Sequence, residues 1–434
     1  MNSIKSISGW GGYPKIKSEV ITPKSIDEYK INLKKPLIAR GKGRSYGDSA
    51  NYKTVLQTVF LDKIIQFDKI KGQITCEAGI TIKSILEKII PLGWFIPVSP
   101  GTSFATLGGA IASDVHGKNH HRSGSFGEHV KDIRIMLGNG SIINISSENE
   151  SDLFYATCGG MGLTGIILSA TIKLISIKSS QIIQTELKSK SLEETCSLID
   201  ENDKAQYSVA WLDCFARGNS TGKGIITLGE HSNEGNLNFN IKRNFNISKN
   251  FPSFVLNKYS ISLFNKCYFA HHKNKRKKLL QLFDYFYPLD KINNWNRLYG
   301  KNGFIQYQFV IPDDQVVKNL KFIFNKIFDS GINPFLGVLK KFGKQNSNLL
   351  SFPMSGYTLA LDIKVDKKLF KSIEELDKII INLGGRIYLT KDSLMNEKTF
   401  KNSYKKWEQF ENVREKYGAV NKFQSDQSLR LGLK

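Results

Sequence analysis

Residues 38–50 read IARGKGRSYGDSA, placing Gly41, Gly43 and Gly47 within seven positions, with Arg40 ahead of them and Lys42 and Arg44 between them. Backbone amides beside positive charge suit an anion, whether a phosphate-bearing cofactor or a nucleic acid, and glycines alone also suit a tight turn. A second glycine-rich stretch, PVSPGTSFATLGGAIASDVHGKNHHRSGSFGEH at 97–129, offers the same free amides and small side chains. Two such loops can cradle a pyrophosphate from two sides. Gln306 and Gln308 in FIQYQFVIP alternate onto one face of a strand, where they suit either a sugar or plain solvent. Lys391 in GGRIYLTKDS follows a short apolar strand. In a cleft, burial and positive neighbours would lower its pKa towards that of a general base, though composition alone leaves it one lysine among many.

Two other patterns point elsewhere. GMGLTG matches GxGxxG at Gly160, Gly162 and Gly165, but it follows a helical stretch and runs into a strand, the reverse of the dinucleotide-binding order; a turn or another kind of cofactor contact is expected. His116, His120, His121 and His129 lie within fourteen residues. No carboxylate or cysteine stands at a metal-ligand interval from them, so loop histidines are expected and no metal.

The elements that must position these residues are short. PLIAR, TVLQTVFL, GQITCEAG, VKDIRIML, SIINIS and TGIILSATIKLI read as strands, ITIKSILEKIIPLG and ESDLFYATCGG as helices with glycine stops. From about residue 177 glycines thin out and lysines increase. There GFIQYQFVIP and GYTLALDIKV read as strands, and DKKLFKSIEELDKIIINLGG as a helix closed by Gly384 and Gly385. The fold expected is α+β with two domains, which suits a chain of 434 residues.

RGKGRSYGD, EAGIT, PGTSFATLGGAIASDVHGKNHHRSGSFGEH and GGMGLTGII, in that order, resemble the PCMH-type FAD-binding domain of the vanillyl-alcohol-oxidase flavoproteins. HGKNHHRSGSFG and GGRIYLTKDS resemble the branch that oxidises polyprenylphosphoryl-ribose, the flavin half of a bacterial ribose-to-arabinose epimerase. The likeness runs from residue 8 over nearly the whole chain. It implies an FAD-binding domain of residues 1–176 and 386–434 and a substrate-binding domain of 177–385. Many relatives tether their flavin through a histidine where this chain has Arg44, so the resemblance implies FAD held without a covalent bond. The residues it implies are Ala39, Arg40, Gly41, Lys42, Gly43, Arg44, Ser45, Tyr46 and Gly47 in the first loop. In the second they are Gly101, Thr102, Thr106, Leu107, Gly108, Gly109, Ser113, His116, Gly117, Lys118 and Asn119, joined by Ile167 and Tyr388. It implies Lys391 as catalytic base and Lys118, Tyr287, Gln306, Gln308, Lys340 and Thr358 as the substrate pocket. Thr358 and Ala360 stand where mycobacterial members carry asparagine and cysteine, a departure that bears on the exact lipid or sugar. Its further implications are a separate NAD(P)H-dependent short-chain reductase acting on the keto product and a membrane quinone as electron acceptor.

Net charge +23 favours an anionic partner, although the chain is rich in lysine, asparagine and isoleucine throughout. The basic run HHKNKRKK at 271–278 suits either lipid headgroups or a solvated loop or helix start. Five cysteines without a CxxC pair suit free thiols in a reducing compartment. Without a signal-peptide core or an apolar run of about 18 residues, a cytoplasmic protein is expected, peripheral at the inner face of the plasma membrane. Two rival readings are a flavin oxidase of a soluble sugar, polyol or aldonolactone, and a nucleic-acid-binding protein. Dispersed charge and the absence of a zinc finger or RNP-like motif argue against the second.

Overall fold

The computed structural model describes residues 2–239, 245–252, 254–366 and 368–434. A four-stranded sheet runs Asn2–Ser8, Lys15–Ile21, Thr54–Gln57, Ile38–Arg40, the last three parallel. Ile38–Arg40 is its edge, and the glycine loop begins where that strand ends. Gly43 there takes a φ of +63°, a conformation that side chains rarely adopt.

A five-stranded antiparallel sheet follows, ordered Ile64–Asp68, Gln73–Glu77, Ile166–Lys173, Val130–Met136, Ile142–Ser146. Ile166–Lys173 is central, and all but its last residue are buried, which explains why TGIILSATIKLI reads as a continuous apolar run. Helix Ile82–Ile89 is capped by Thr81, whose side chain accepts from Ser84 N. It closes through Ile90–Leu92 onto Gly93 at φ +80°, so the Pro91–Gly93 stop works as expected.

The third sheet has eight antiparallel strands: Arg276–Gln281, Gln181–Ser189, Gly224–His231, Tyr207–Leu212, Leu336–Phe342, Gly356–Lys364, Phe304–Ile311 and Arg386–Ile387. Its register sorts the side chains. Gln306 faces Asp362, Gln308 faces Ala360, and across the next pair Val338 faces Ala360 and Lys340 faces Thr358, all on one surface. Tyr307, Phe309, Leu339, Leu359 and Leu361 point the other way. They are buried with Leu320, Ile323, Phe324 and Ile327 of helix Val316–Asp329 and Ile373, Leu376 and Ile380 of helix Leu369–Asn382. Each such side chain contributes about 1.5–3 kcal/mol by leaving water, so the helices fix the sheet and leave the polar surface for a ligand. The overall class is α+β.

One expectation is corrected. The run HHKNKRKK is not a helix start: it closes helix Lys258–His271, passes through an exposed turn, and enters strand Arg276–Gln281 at the edge of the eight-stranded sheet. Arg276–Gln281 pairs with Gln181–Glu186, and Lys278 bonds the buried Glu186.

Candidate active site

A cleft lies between the polar surface of the eight-stranded sheet and three segments, Ala39–Tyr46, Pro100–Ser113 and Met161–Ile167. The glycines shape it by close approach. A Cβ on Gly41 would fall 2.3 Å from Thr106 Oγ1, and one on Gly108 2.9 Å from the Ala78 side chain, whereas Gly101 faces open space. Thr106 in turn caps Leu107–Ala112 by accepting from Gly109 N at 3.3 Å. Gly47 packs tightest, since its Cβ would lie 1.7 Å from Asp392 O. Because that neighbour is backbone, Gly47→Ala is expected to cost about 1–3 kcal/mol and to lower the flavin-to-protein absorbance ratio of the purified protein.

Arg44 lies in the cleft wall with its guanidinium 4.1 Å from the Trp10 ring centroid and 4.9 Å from that of Phe104. Its Nε is buried and has no hydrogen-bond partner. Burial lowers its pKa, with Asp290 opposing. A buried arginine Nε without a hydrogen-bond partner, beside glycines that admit no side chain, fits an anionic pyrophosphate, so the residues present fit FAD. Arg40 points away, donating to Ala50 O, Asn51 Oδ1 and Ser8 O, and thereby pins the loop.

At the sheet end, Lys391 Nζ stands 3.6 Å above the Tyr46 ring centroid. Desolvation lowers its pKa to about 7, with the Lys340 charge adding to the shift and Asp362 opposing it. Lys340 is likewise pushed down to about 7 by burial. His116 lies between Gln308 Nε2 and Lys340 Nζ, each 3.1 Å from a ring nitrogen. Burial and then Lys340 hold its pKa well below the usual value, so the imidazole is neutral at pH 7. Gln306 donates to Asp362 Oδ1 at 2.6 Å, which leaves its carbonyl oxygen for the cleft.

The cleft wall contains Lys391, Gln306, Gln308, Lys340, His116, Ile167 and Tyr388, together with the first loop through Tyr46 and Gly101, Thr102, Thr106, Gly108, Gly109 and Ser113. Seven other implied residues lie behind it. Gly47 and Gly117 make close backbone approaches, and Leu107 is in the core. Asn119 donates to Pro97 O at 2.8 Å, and Tyr287 bonds Ser99 Oγ at 2.5 Å. Thr358 accepts from Gln308 Nε2 at 3.1 Å and donates to Phe309 O at 2.8 Å, so it orients Gln308. Lys118 turns to Tyr285 O, with its ammonium 4.0 Å from the Tyr285 ring centroid. Desolvation, reinforced by Lys340, brings its pKa to about 7.

Sequence reasoning did not single out Asp290, which lines the cleft and accepts from Thr102 Oγ1, Ser103 N and Ser103 Oγ at 2.7–2.8 Å. Its partners lie 187 or 188 residues away, and no local pattern marks it. Gly162 and Gly165 of GMGLTG also line the cleft, between a helix and a strand as expected. The histidines diverge: His120 Nδ1 accepts from Gly343 N, while His121 and His129 bond Ala205 O and Ser123 O.

Glycine loops around an arginine whose buried Nε has no hydrogen-bond partner, facing a sheet of glutamines and lysines, define an FAD-binding oxidoreductase. An FAD binding domain family matches residues 20–146. Decaprenylphosphoryl-beta-D-ribose oxidase of Mycolicibacterium smegmatis is 34 % identical over 411 residues, 92 % of this chain and 89 % of the relative. The chain belongs to the decaprenylphosphoryl-beta-D-ribose oxidase family. A Streptomyces coelicolor protein described only by its position in the mprA 5′ region is 28 % identical over 82 % of this chain and all of the relative. D-arabinono-1,4-lactone oxidase of Kluyveromyces lactis is 27 % identical over only 40 % of the chain and 35 % of its own length.

Proposed function

We infer that this chain oxidises the 2′-hydroxyl of a polyprenylphosphoryl-β-D-ribose to the 2′-ketone, the first step of an epimerisation that yields an arabinose donor for cell-envelope glycans. The observation that carries the reading is Lys391, desolvated and beside Tyr46, in one cleft with the glycine loops, Gln306, Gln308 and Lys340. Bound FAD supplies the two-electron acceptor for the hydride at C2′. Lys391 takes the 2′-hydroxyl proton at Nζ. Gln306 and Gln308 hold the ribose hydroxyls, each anchored from behind, by Asp362 and by Thr358. Lys340 meets the phosphate, and the neutral His116 beside it adds no competing charge.

Residues 1–176 and 386–434 are assigned to FAD and 177–385 to substrate. Covalent attachment is not expected at Arg44, so flavin should leave with acid. The keto product is assigned to an NAD(P)H-dependent short-chain reductase and the electrons to a membrane quinone. No helix among the described residues is long and apolar enough to cross a membrane. A lipid-linked substrate therefore calls for contact at the membrane surface, which we place on the cytoplasmic side.

The test is an anaerobic spectrum before and after addition of a prenylphosphoryl-β-D-ribose, followed by acid precipitation. Bleaching by the lipid-linked sugar and flavin in the acid supernatant are expected. Bleaching by soluble sugars alone would transfer the activity to a polyol or lactone oxidase. Lys340→Met should weaken the apparent affinity for the phosphorylated substrate by about 10–100-fold, the equivalent of a charge-assisted hydrogen bond, and change reduction at saturation little. Titration of bleaching against substrate concentration separates the two effects.

A further inference from the structure

Between Glu234 and Asp284 the sequence has no aspartate or glutamate, and it has ten lysines and arginines, from Lys242 to Lys278. These 49 residues therefore carry +10 of the net +23. Within them lies helix Lys258–His271, which is apolar on two sides. Inward, Ile261 and Asn265 are buried, Asn265 donates to Asp213 Oδ1 at 2.8 Å, and Tyr268 packs on Trp211 with ring centroids 4.8 Å apart. Outward, at the spacing of one helical face, stand Tyr259 at 74 % exposure, Leu263 at 64 % and the exposed Cys267, with Phe264 at 59 % beside them. Phe254, 74 % exposed, stands just ahead of the helix, its carbonyl accepting from the N-cap Asn257. Lys258, Lys266, His271, Lys273, Lys275 and Arg276 are exposed around it.

Contiguous large apolar side chains on a soluble surface mark a contact site. Here the frame is cationic and its own segment carries no acid, as in helices that lie in the headgroup layer of an anionic bilayer. A second copy of the chain would bring the same exposed Lys258, Lys266, Lys273, Lys275 and Arg276 against the first, which opposes self-association.

The location links this face to the cleft. Phe251 N donates to Arg297 O at 2.9 Å, and Arg297 Nη1 donates to Ile247 O at 3.0 Å, fastening the segment ahead of the helix. Ile247 and Leu256 pack with Trp295, and Trp295, Leu289 and Trp10 line the cleft. We propose that the outer face of Lys258–His271, with Phe254, seats the protein in anionic lipid, so that the Trp10–Leu289–Trp295 rim opens beside the acyl chains and admits a polyprenyl phosphate without passage through water. The admission of substrate rests on the function inferred above; the seating does not.

Cys267 supplies the probe, since Cys76, Cys158, Cys196 and Cys214 are buried. The FAD-loaded protein, labelled at Cys267 with an environment-sensitive fluorophore, is titrated with phosphatidylcholine vesicles with and without phosphatidylglycerol. A blue shift is expected with the anionic vesicles. The combined Tyr259→Ser, Leu263→Ser and Phe264→Ser variant, checked for full flavin content, should partition at least about tenfold more weakly. An unshifted label, or a variant that co-sediments with vesicles as well as the parent, overturns the proposal. So does a shift that appears without lipid and follows protein concentration, which would assign the face to a second copy. A short-chain, water-soluble prenylphosphoryl-ribose should bleach the flavin of parent and variant equally. Failure to bleach the parent would refute the substrate reading and with it the admission of substrate, while the vesicle result would still decide the seating.

Discussion

Lys391→Ala retains FAD and slows flavin reduction by substrate about 10²–10⁴-fold, the usual contribution of a placed general base. Retention is expected because the Lys391 side chain makes its described contact to the Tyr46 ring and holds no loop in place. The pH profile tests the assignment independently. Desolvation brings the Lys391 pKa to about 7, and only the neutral amine accepts a proton. Reduction in the parent should therefore rise with pH, about tenfold per unit below pH 7, and level above it, while the alanine variant should lack that limb. Stopped-flow bleaching across pH checks both, and a variant with parental rates removes Lys391 from the mechanism.

The same lowering acts on stability. Lys118, Lys340 and Lys391 release protons in the folded state at about 7, below the ordinary lysine value of 10.5. Between those limits the unfolded chain binds more protons, so stability of the ligand-free protein should rise with pH across that window. An anion bound among the lysines opposes the shift, and phosphate-bearing substrate should therefore stabilise more at and below pH 7 than in alkaline solution.

Arg430→Met should destabilise the protein by about 3–5 kcal/mol, as removal of one partner from a buried ion pair does, and should lower FAD content as well. Arg430 Nη2 bonds Asp48 Oδ1 at 2.7 Å and Asp392 Oδ2 at 3.0 Å, and both aspartates are buried. Asp392 Oδ1 also accepts from Leu394 N and Met395 N. One guanidinium thus joins the loop after Tyr46 to the turn that carries Lys391. Without it two carboxylates remain buried close together with no cation. Urea unfolding followed by flavin fluorescence reads both effects, and a midpoint within experimental error of the parent would show that the network contributes nothing.

Much of this site was legible because its residues cluster in the chain. The glycine loops announce themselves by spacing, and the Gln306/Gln308 alternation places both on one face of a strand, as the pairing with Asp362 and Ala360 bears out. Local pattern did not reveal what lies behind them. Asp290, Asp362 and Arg430 are ordinary charged residues in sequence and become significant only through partners up to 382 residues away. The resemblance pointed to Lys118, Tyr287 and Thr358 without showing that each faces another protein group. HHKNKRKK is as exposed as its charge suggests, but it leads into a strand rather than a helix, because strand pairing beside Glu186 tolerates lysines at an edge.

Arg386–Ile387 completes the eight-stranded sheet, and the residues after it return to the first loop: Thr390 O accepts from Tyr46 N, Leu37 bridges to Phe423, and Asp426 N donates to Asn51 O. The cradle for the cofactor is thus stitched from segments more than 340 residues apart. On a ribosome adding about 5–20 residues per second, residues 37–57 wait many seconds with their partners unmade and their strand edge open. Nascent chains should therefore be poor flavin binders and good chaperone clients until residues near 430 emerge, so holoenzyme yield should follow chaperone supply during synthesis more closely than flavin supply.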